Sequence, residues 1–339
     1  MAAESEKALT GEPQKRAHSP SPFTGTAGLA GESKNGQVPY DLIPPRGTVP
    51  IYRDCRDLQN ILTVDVEDWF HICGVERLIP ETSWPQMESR VTANTLKILD
   101  VLRRKRAEAT FFVLGFVAER HPGLIKEIER GGHEIATHGY GHRRVYTMTP
   151  DTFRQDLRKA VSIISEITGY PVKGYRAPEW SIRDDSLWAL DILQQEGFEY
   201  DSSMAPLPII GNPGYATIPH RLTVDQGDLW EFPPLVATTP LVNLPLGGGW
   251  GLRIFPYNLI RCTIRKLNNQ GQPALIFLHP REVDSDNPRI RLPLVKRFVL
   301  AGRLQKTGKR LDRLLDEFSF TSVRSVLRKA KKCCIEKAS

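Results

Sequence analysis

The 339-residue sequence has few cysteines, and they follow no regular pattern. The five cysteines are an odd number without a C-x-x-C pair, which argues against a disulfide framework and a structural zinc knuckle. No run approaches the roughly 18 apolar residues that a membrane span needs, and the first residues lack the apolar core of a secretory signal. We therefore expect a reduced, cytoplasmic protein.

Two common enzyme signatures are also missing. Gly247-Gly248-Gly249 lacks the lysine and the strand–loop–helix setting of a nucleotide-binding loop. His133 and His138 lie five residues apart, whereas a metalloprotease helix carries its two histidines four apart. The sequence therefore predicts neither a nucleotide-binding enzyme nor a helical metalloprotease.

Positive charge is abundant but local. Residues 291–339 contain 14 Lys and Arg against 4 Asp and Glu, a net charge of +10, whereas the rest of the chain carries −3. Such a segment is typical of a solvated amphipathic helix, and it also suits peripheral contact with an anionic membrane surface. Because the charge is confined to one end, we predict no nucleic-acid partner.

The pattern along the chain predicts one catalytic domain of the α/β class. Residues 1–57 are rich in Gly, Pro, Ser and charge and predict a disordered leader. From 58 to 330, short apolar runs alternate with amphipathic segments, which indicates a parallel sheet or barrel with helices around it. Within this domain the proline-rich stretch 205–255 predicts an irregular insertion facing the substrate, and 331–339 form a basic tail.

Polar groups follow four of the predicted strands. They occur in the motifs Asp65-Val66-Glu67-Asp68, His138-Gly139-Tyr140-Gly141-His142, Arg176-Ala177-Pro178 and Leu278-His279-Pro280. Because the carboxyl ends of parallel strands meet at one edge of a barrel, these motifs are expected to converge there.

The acidic and histidine motifs together suggest a metal site. Two neutral imidazoles and a carboxylate suit a borderline divalent ion such as Zn²⁺. Strand alternation places Asp65 and Glu67 on the same side, which favours Glu67 as the ligand, but a strand ending at Asp65 would let Asp68 turn inward. A solvated acidic turn and two surface histidines remain the simpler alternative.

The other motifs offer residues that would assist catalysis. A buried Arg176 would pair with Asp65 and orient it, and His279 is suited to protonate a leaving amine. Asp284 and Asp286 are both candidates to orient His279. Trp180 is a candidate for stacking on a sugar ring.

Taken in order, these motifs resemble those of the polysaccharide deacetylase family, the NodB-homology carbohydrate esterases. The resemblance extends over about residues 60–330 and is closest to the branch associated with bacterial exopolysaccharide and exosortase systems. It rests most on the stretch from Ile61 to His71, on Leu278-His279-Pro280-Arg281-Glu282, and on the basic stretch around 298–320.

The resemblance implies an irregular (β/α) barrel with one metal ion, usually zinc. It implies that Asp65 is the general base, His138 and His142 are metal ligands, Arg176 positions the base and His279 is the general acid. Tyr140, between the two histidines, becomes a further candidate substrate contact. The implied reaction removes acetyl groups from N-acetylhexosamine units of an envelope polysaccharide or its lipid-linked precursor, with peripheral contact to the membrane or the synthesis machinery.

One departure from the family pattern keeps alternatives open. The commoner form has two adjacent aspartates, whereas Val66 here separates Asp65 from Glu67, as in relatives that include allantoinase-like enzymes. The alternatives are therefore a hydrolase of small cyclic amides and a barrel that binds glycans without catalysis.

Overall fold

The computed structural model describes residues 51–52, 57–73, 75, 78–225, 227–286, 288, 304 and 306–338. The leader predicted at 1–57 therefore lies almost wholly outside the described residues. Among the described residues, none of the helices has the length and apolar character needed to span a membrane.

Eleven strands are present in the described part of the chain: β1 (Asn60–Val66), β2 (Thr110–Val113), β3 (Glu134–Thr137), β4 (Gly174–Tyr175), β5 (Tyr200–Asp201), β6 (His220–Val224), β7 (Gly227–Glu231), β8 (Val236–Thr238), β9 (Asn243–Pro245), β10 (Leu275–Leu278) and β11 (Phe320–Thr321). Nine of them form one sheet in the order β10-β1-β2-β3-β4-β5-β7-β6, with β11 also paired to β1. Apart from the antiparallel hairpin β6–β7, the pairings in this sheet are parallel.

Strand β1 is buried along its whole length because it is paired on both sides. Ile61 lies opposite Leu275 of β10, and Thr63 lies opposite Thr110 of β2. Parallel strands are covered on both faces, which explains the nearly continuous apolar sequence of this strand. Asp65 is an exception within it, since a carboxylate is normally kept out of such a strand unless it is paired.

Nine α-helices accompany the strands in the described residues: α1 (Val91–Lys105), α2 (Gly115–Arg120), α3 (Pro122–Arg130), α4 (Pro150–Thr168), α5 (Trp188–Gln195), α6 (Gly249–Ile254), α7 (Tyr257–Asn269), α8 (Lys306–Glu317) and α9 (Val323–Ala338). Helix α4 shows how local sequence sets the bounds. Thr149 and Thr152 form a capping box at its start, and Gly169 ends it with φ of +79°.

The sheet is curled but not fully closed by strands. Two short segments fill the space beside β10: the Leu235 N–H donates to the Leu275 carbonyl at 3.0 Å, and the Phe277 N–H donates to the Gly247 carbonyl at 2.8 Å. This arrangement confirms the predicted irregular (β/α) barrel. It also places the carboxyl ends of β1, β3, β4 and β10 around one opening.

Residues 205–255 are not the irregular insertion that their prolines suggested. They contain β6 to β9 and helix α6, and β7 extends the main sheet. The prolines occupy positions where no ladder hydrogen bond is lost: Pro233 and Pro234 follow β7, and Pro245 ends the hairpin strand β9. Farther along, α9 continues through residue 330, where the basic tail was expected to begin.

Candidate metal-hydrolase site

The Asp65 carboxylate lies against Arg176, as the sequence suggested. Arg176 Nη1 is 2.7 Å from Asp65 Oδ1, and the arginine side chain is fully buried. The guanidinium also donates to Thr63 Oγ1, Ser202 Oγ and the Ser202 carbonyl. It lies 4.1 Å above the Phe112 ring. A cation held on so many sides keeps the Asp65 carboxylate in one orientation.

Glu67, His138 and His142 form a candidate metal site. One donor atom from each lies within 4.8 Å of the others, and all three residues are buried. Glu67 Oε2 is 2.5 Å from His142 Nε2. His142 reaches this position because its backbone adopts a positive φ of 50°. Two imidazoles and one carboxylate make a donor set of the kind that catalytic zinc sites use.

The hydrogen bonds behind the two histidines support this assignment. His138 Nδ1 is 2.8 Å from the Arg176 carbonyl oxygen, so Nδ1 donates and the lone pair of Nε2 is left for a ligand. His142 Nδ1 is 3.4 Å from Cys73 Sγ. Burial lowers the pKa of His138 to about 4, which favours the neutral, ligating form. These residues fit a bound divalent cation.

The charge of Glu67 is balanced within the site. Burial alone would raise the pKa of this carboxyl, but His142, His279 and Arg281 together lower it far below its usual value. For His142 the opposing effects run the other way: burial would lower its pKa, and Glu67 with Cys73 raises it well above the usual value. In the absence of a cation, Glu67 and His142 therefore form an ion pair.

Asp68 is removed from the candidate ligands. Its carboxylate accepts hydrogen bonds from Ser89 Oγ at 2.6 Å and from the backbone N–H groups of Trp69, Arg90 and Val91. These donors include the first amide of α1, that of Val91, and the amide of the N-cap residue Arg90, so Asp68 caps that helix from outside. The acceptor positions of its carboxylate are used there, and Glu67 is the carboxylate that meets the histidines.

His279 faces the two acidic residues at the end of β1. Its Nε2 is 3.8 Å from both Asp65 Oδ2 and Glu67 Oε1. On its other side, Nδ1 is 3.8 Å from Glu282 Oε2. Burial alone would lower the pKa of His279, but Glu282, Glu67 and Asp65 raise it above its usual value. The protonated imidazole is thus favoured.

The acidic neighbour of His279 is Glu282 and neither of the aspartates suggested by the sequence. Asp284 accepts instead from Arg90 Nε at 2.6 Å and from Asn94 Nδ2 at 3.1 Å. Asp286 is exposed. Glu282 is brought back toward His279 because both belong to a 3₁₀ turn, Pro280–Val283 with His279 as its N-cap, in which residues three apart come together.

These side chains line one cavity of about 360 Å³. Asp65, Glu67, His138, His142 and His279 form its polar floor. Aliphatic residues, prolines and Trp250 form much of the wall. The volume is that of an ordinary small-molecule pocket.

The two predicted substrate contacts differ in position. Trp180 lines the cavity, but it is only 6% exposed and its ring lies 4.3 Å from the Arg176 guanidinium. Tyr140 does not line it: its hydroxyl donates to Glu119 Oε2 at 2.8 Å, and its ring stacks under Lys159 Nζ. Tyr140 is therefore corrected to a position outside the cavity, because the turn at Gly139 directs its ring outward.

Several cavity residues were not identified as site residues from the sequence, and three of them bear on substrate binding. Arg253 and Arg281 line the cavity, and Trp250 is a half-buried aromatic in its wall. The position of Arg281, two residues after His279 on the same strand end, was a usable signal. No sequence signal identified Arg253 and Trp250, because their contact with the cavity depends on the fold of 205–255.

Comparisons with known proteins agree with this geometry. Residues 84–200 match the family described as polysaccharide deacetylase, and residues 202–328 match a domain of unknown function (DUF3473). The peptidoglycan-N-acetylglucosamine deacetylase of Bacillus cereus is 27% identical over 206 residues, covering 54% of this chain and 70% of that protein. The peptidoglycan deacetylase of Helicobacter pylori is 32% identical over 108 residues, covering 32% of this chain and 36% of that protein.

Solved structures agree on the fold. A putative polysaccharide deacetylase from Mycobacterium smegmatis superimposes with a TM-score of 0.56 at 21% identity, covering 83% of this chain and 93% of that one. Puue allantoinase gives 0.54 at 15% identity, covering 83% and 92%. The relation to the exopolysaccharide and exosortase branch stays a prediction. The chain therefore contains a polysaccharide deacetylase domain at 84–200, of a family of hydrolases of carbon–nitrogen bonds other than peptide bonds, followed by the DUF3473 match at 202–328.

Proposed function

We propose that this protein hydrolyses the acetamide of N-acetylhexosamine units in a glycan, releasing acetate and leaving a free amine. The observation that carries the proposal is the meeting of Glu67, His138 and His142 within 4.8 Å, with Asp65 and His279 beside them in one cavity. That set supplies a base, an acid and a cation site, which are the groups that amide hydrolysis needs.

Asp65 acts as the base that takes a proton from the attacking water. Arg176 donates to its Oδ1, which leaves Oδ2 directed toward the cavity side where His279 lies 3.8 Å away. The fixed carboxylate needs no rearrangement before it accepts the proton.

His279 acts as the acid that protonates the departing amine. Burial alone would lower its pKa, but Glu282, Glu67 and Asp65 raise the pKa above its usual value, which favours the protonated imidazole. Glu282 lies beside Nδ1, which leaves the Nε2 proton directed at the cavity floor.

Glu67, His138 and His142 would hold the divalent cation, and zinc suits this donor set. When bound, the cation polarises the acetyl carbonyl and lowers the pKa of the attacking water. The second bonds of the histidines, to the Arg176 carbonyl and to Cys73, fix the two rings for this role.

The proposed substrate is an N-acetylated glycan of the cell envelope or its lipid-linked precursor. The named activities of the Bacillus cereus and Helicobacter pylori relatives support a glycan over a small cyclic amide. Cytoplasmic location and peripheral contact with an anionic membrane or the synthesis machinery remain predictions from the sequence.

Chelated protein provides the direct test. Deacetylation of N-acetylglucosamine oligomers is measured before and after zinc is restored, with Asp65→Asn as the control and allantoin as the competing substrate. We expect activity on the oligomers that returns with zinc and is lost in Asp65→Asn. Faster hydrolysis of allantoin, or equal activity of wild type and Asp65→Asn, would contradict the proposal.

A further inference from the structure

Among the residues that the structure describes, one cavity cation has no hydrogen-bond or ion-pair partner. Arg281 is only 9% exposed and lines the cavity, yet its side chain makes no hydrogen bond, and no ion pair within 4.0 Å, with any of the residues that the structure describes. By contrast, Arg176 is bound to Asp65, and Arg183 is bound through two nitrogens to Asp185.

The nearby carboxylates of Glu67 and Glu282 act on Arg281 only from beyond ion-pair distance. Glu282, its neighbour in sequence, lies 3.8 Å from both Arg253 Nε and His279 Nδ1. Glu67 is directed at His142, and in the loaded site it would face a divalent cation. Arg281 is therefore left without a counter-charge in direct contact among the described residues.

The count of charges leads to the same conclusion. In and directly behind the cavity lining, three carboxylates and three guanidiniums cancel: Asp65, Glu67 and Glu282 against Arg176, Arg253 and Arg281. Glu179 and Arg183, which also line the cavity, cancel as well. A divalent cation held by Glu67, His138 and His142 would then leave a positive excess. A guanidinium this buried is costly without a counter-charge, so a ligand that brings one is favoured.

We propose that Arg281 recognises an anionic group on the substrate, a carboxylate or a phosphate carried by the glycan beside its N-acetyl group. This inference rests on the proposed deacetylase function and narrows its substrate class to anionic glycans. The planar guanidinium fork matches the paired oxygens of both groups. Since Arg281 follows His279 by two residues in the same turn, the anion lies on the side of the sugar that faces the acid.

Binding is measured with Asp65→Asn protein, zinc-loaded, so that the sugars are not consumed. Two matched pairs serve as probes: N-acetylglucosamine against N-acetylglucosamine 1-phosphate, and an N-acetylglucosamine disaccharide against its counterpart with glucuronic acid. Titration calorimetry is then repeated with Asp65→Asn protein that also carries Arg281→Gln or Arg281→Lys. Arg183→Gln, in the same background, is the control for losing a positive charge from the same cavity. Thermal unfolding checks that each variant folds.

We expect one anionic probe to bind at least about tenfold tighter than its neutral match, since a charged hydrogen bond contributes that much or more. The preference should vanish in Arg281→Gln, survive in part in Arg281→Lys and persist in Arg183→Gln. The probe pair that shows it identifies carboxylate or phosphate.

Equal binding of both members in both pairs would overturn the proposal, as would a preference that survives Arg281→Gln or is lost equally in Arg183→Gln. Deacetylation of the neutral oligomers by the wild-type protein is scored separately. Failure of that assay bears on the proposed function, whereas failure of the binding preference bears on Arg281.

Discussion

The most demanding test of the site is replacement of Arg176 by methionine. The guanidinium is fully buried, and it supports both the candidate base and the loop after β5. It donates to Asp65, Thr63 and Ser202, at distances from 2.7 to 3.1 Å. Methionine fills much of the volume but leaves the Asp65 carboxylate buried and without its cation.

The expected loss of stability follows from these contacts. One charged hydrogen bond contributes about 1.5–3 kcal/mol, and three neutral ones contribute about 1 kcal/mol each, so the total is about 5 kcal/mol. The cost usually found for removing one partner of a buried ion pair, about 3–5 kcal/mol, agrees. We therefore expect Arg176→Met to lower the free energy of unfolding by about 4–5 kcal/mol.

A double-mutant cycle measures how much of this loss belongs to the Asp65 contact. Urea unfolding is followed for wild type, Arg176→Met, Asp65→Asn and the double variant, all without metal. Asp65→Asn removes the charge that Arg176→Met strands, so the double variant should be more stable than the sum of the two losses by about 2 kcal/mol. Arg176→Lys, which keeps the positive charge, provides an intermediate if Arg176→Met does not fold.

The reasoning would be refuted if the losses of unfolding free energy in the two single variants simply added up in the double variant. Additive losses would mean that Arg176 and Asp65 act independently, and that the 2.7 Å contact contributes nothing beyond packing. Equal deacetylase activity of Arg176→Met and wild type would separately contradict the positioning role of this arginine.

Two further outcomes are expected. Glu67→Gln should abolish stoichiometric zinc binding. Asp68→Asn should keep zinc binding and lose about 1 kcal/mol of stability, because the cap of α1 weakens. Calorimetry measures the zinc binding and urea unfolding the stability, and a loss of zinc binding in Asp68→Asn would make Asp68 a ligand again. Burial raises the pKa of Asp201 to about 6 and that of its neighbour Glu231 well above its usual value. The folded state therefore binds the extra protons, and this stability is complete below about pH 4 and falls as pH rises through the folded pKa values. Glu231→Gln removes one of the two carboxyls with a raised pKa, so it should flatten the decline in unfolding free energy as the pH rises above about 4, and an unchanged slope would contradict the assignment.

Much of the site was predictable because strand ends are visible in the sequence. The apolar run before Asp65, the run before His138 and the run before His279 each end in a side chain that can do chemistry. Parallel pairing of β10 with β1 and of β2 with β3 then brings those ends together without further information. The pairing of Arg176 with Asp65 followed from the need to compensate a buried carboxylate.

The residues that were misjudged depend on distant partners. Asp68 turns away because Ser89 and the start of α1 offer it donors about 20 residues later in the chain. Asp284 is not the neighbour of His279, because Arg90, the N-cap residue of α1, binds its carboxylate. Neither partner can be read from the local sequence.

The prediction of an irregular insertion at 205–255 was wrong for a different reason. The density of prolines predicted a stretch without strands, but a proline is tolerated at strand positions where no backbone donor is needed. Alternation in His220–Val224, with every second residue buried, was the better signal for β6. Its partner β7 then extends the sheet, and the following chain reaches back to β10 at Leu235.

The site is assembled from three parts of the sequence, and the part with unknown function is needed to complete it. Asp65 lies in β1 and Glu67 directly follows that strand, so both precede the two matched segments. His138, His142 and Arg176 come from the deacetylase match at 84–200. His279, Arg281 and Glu282 come from the segment 202–328 matched to DUF3473, through a strand that pairs directly with β1. Since four ladder positions join β10 to β1, that segment cannot be detached without removing the acid and one cavity wall. The DUF3473 segment is therefore the second half of one barrel, and the contribution that we propose for it is the proton donor His279 and the Arg281 charge that faces the substrate.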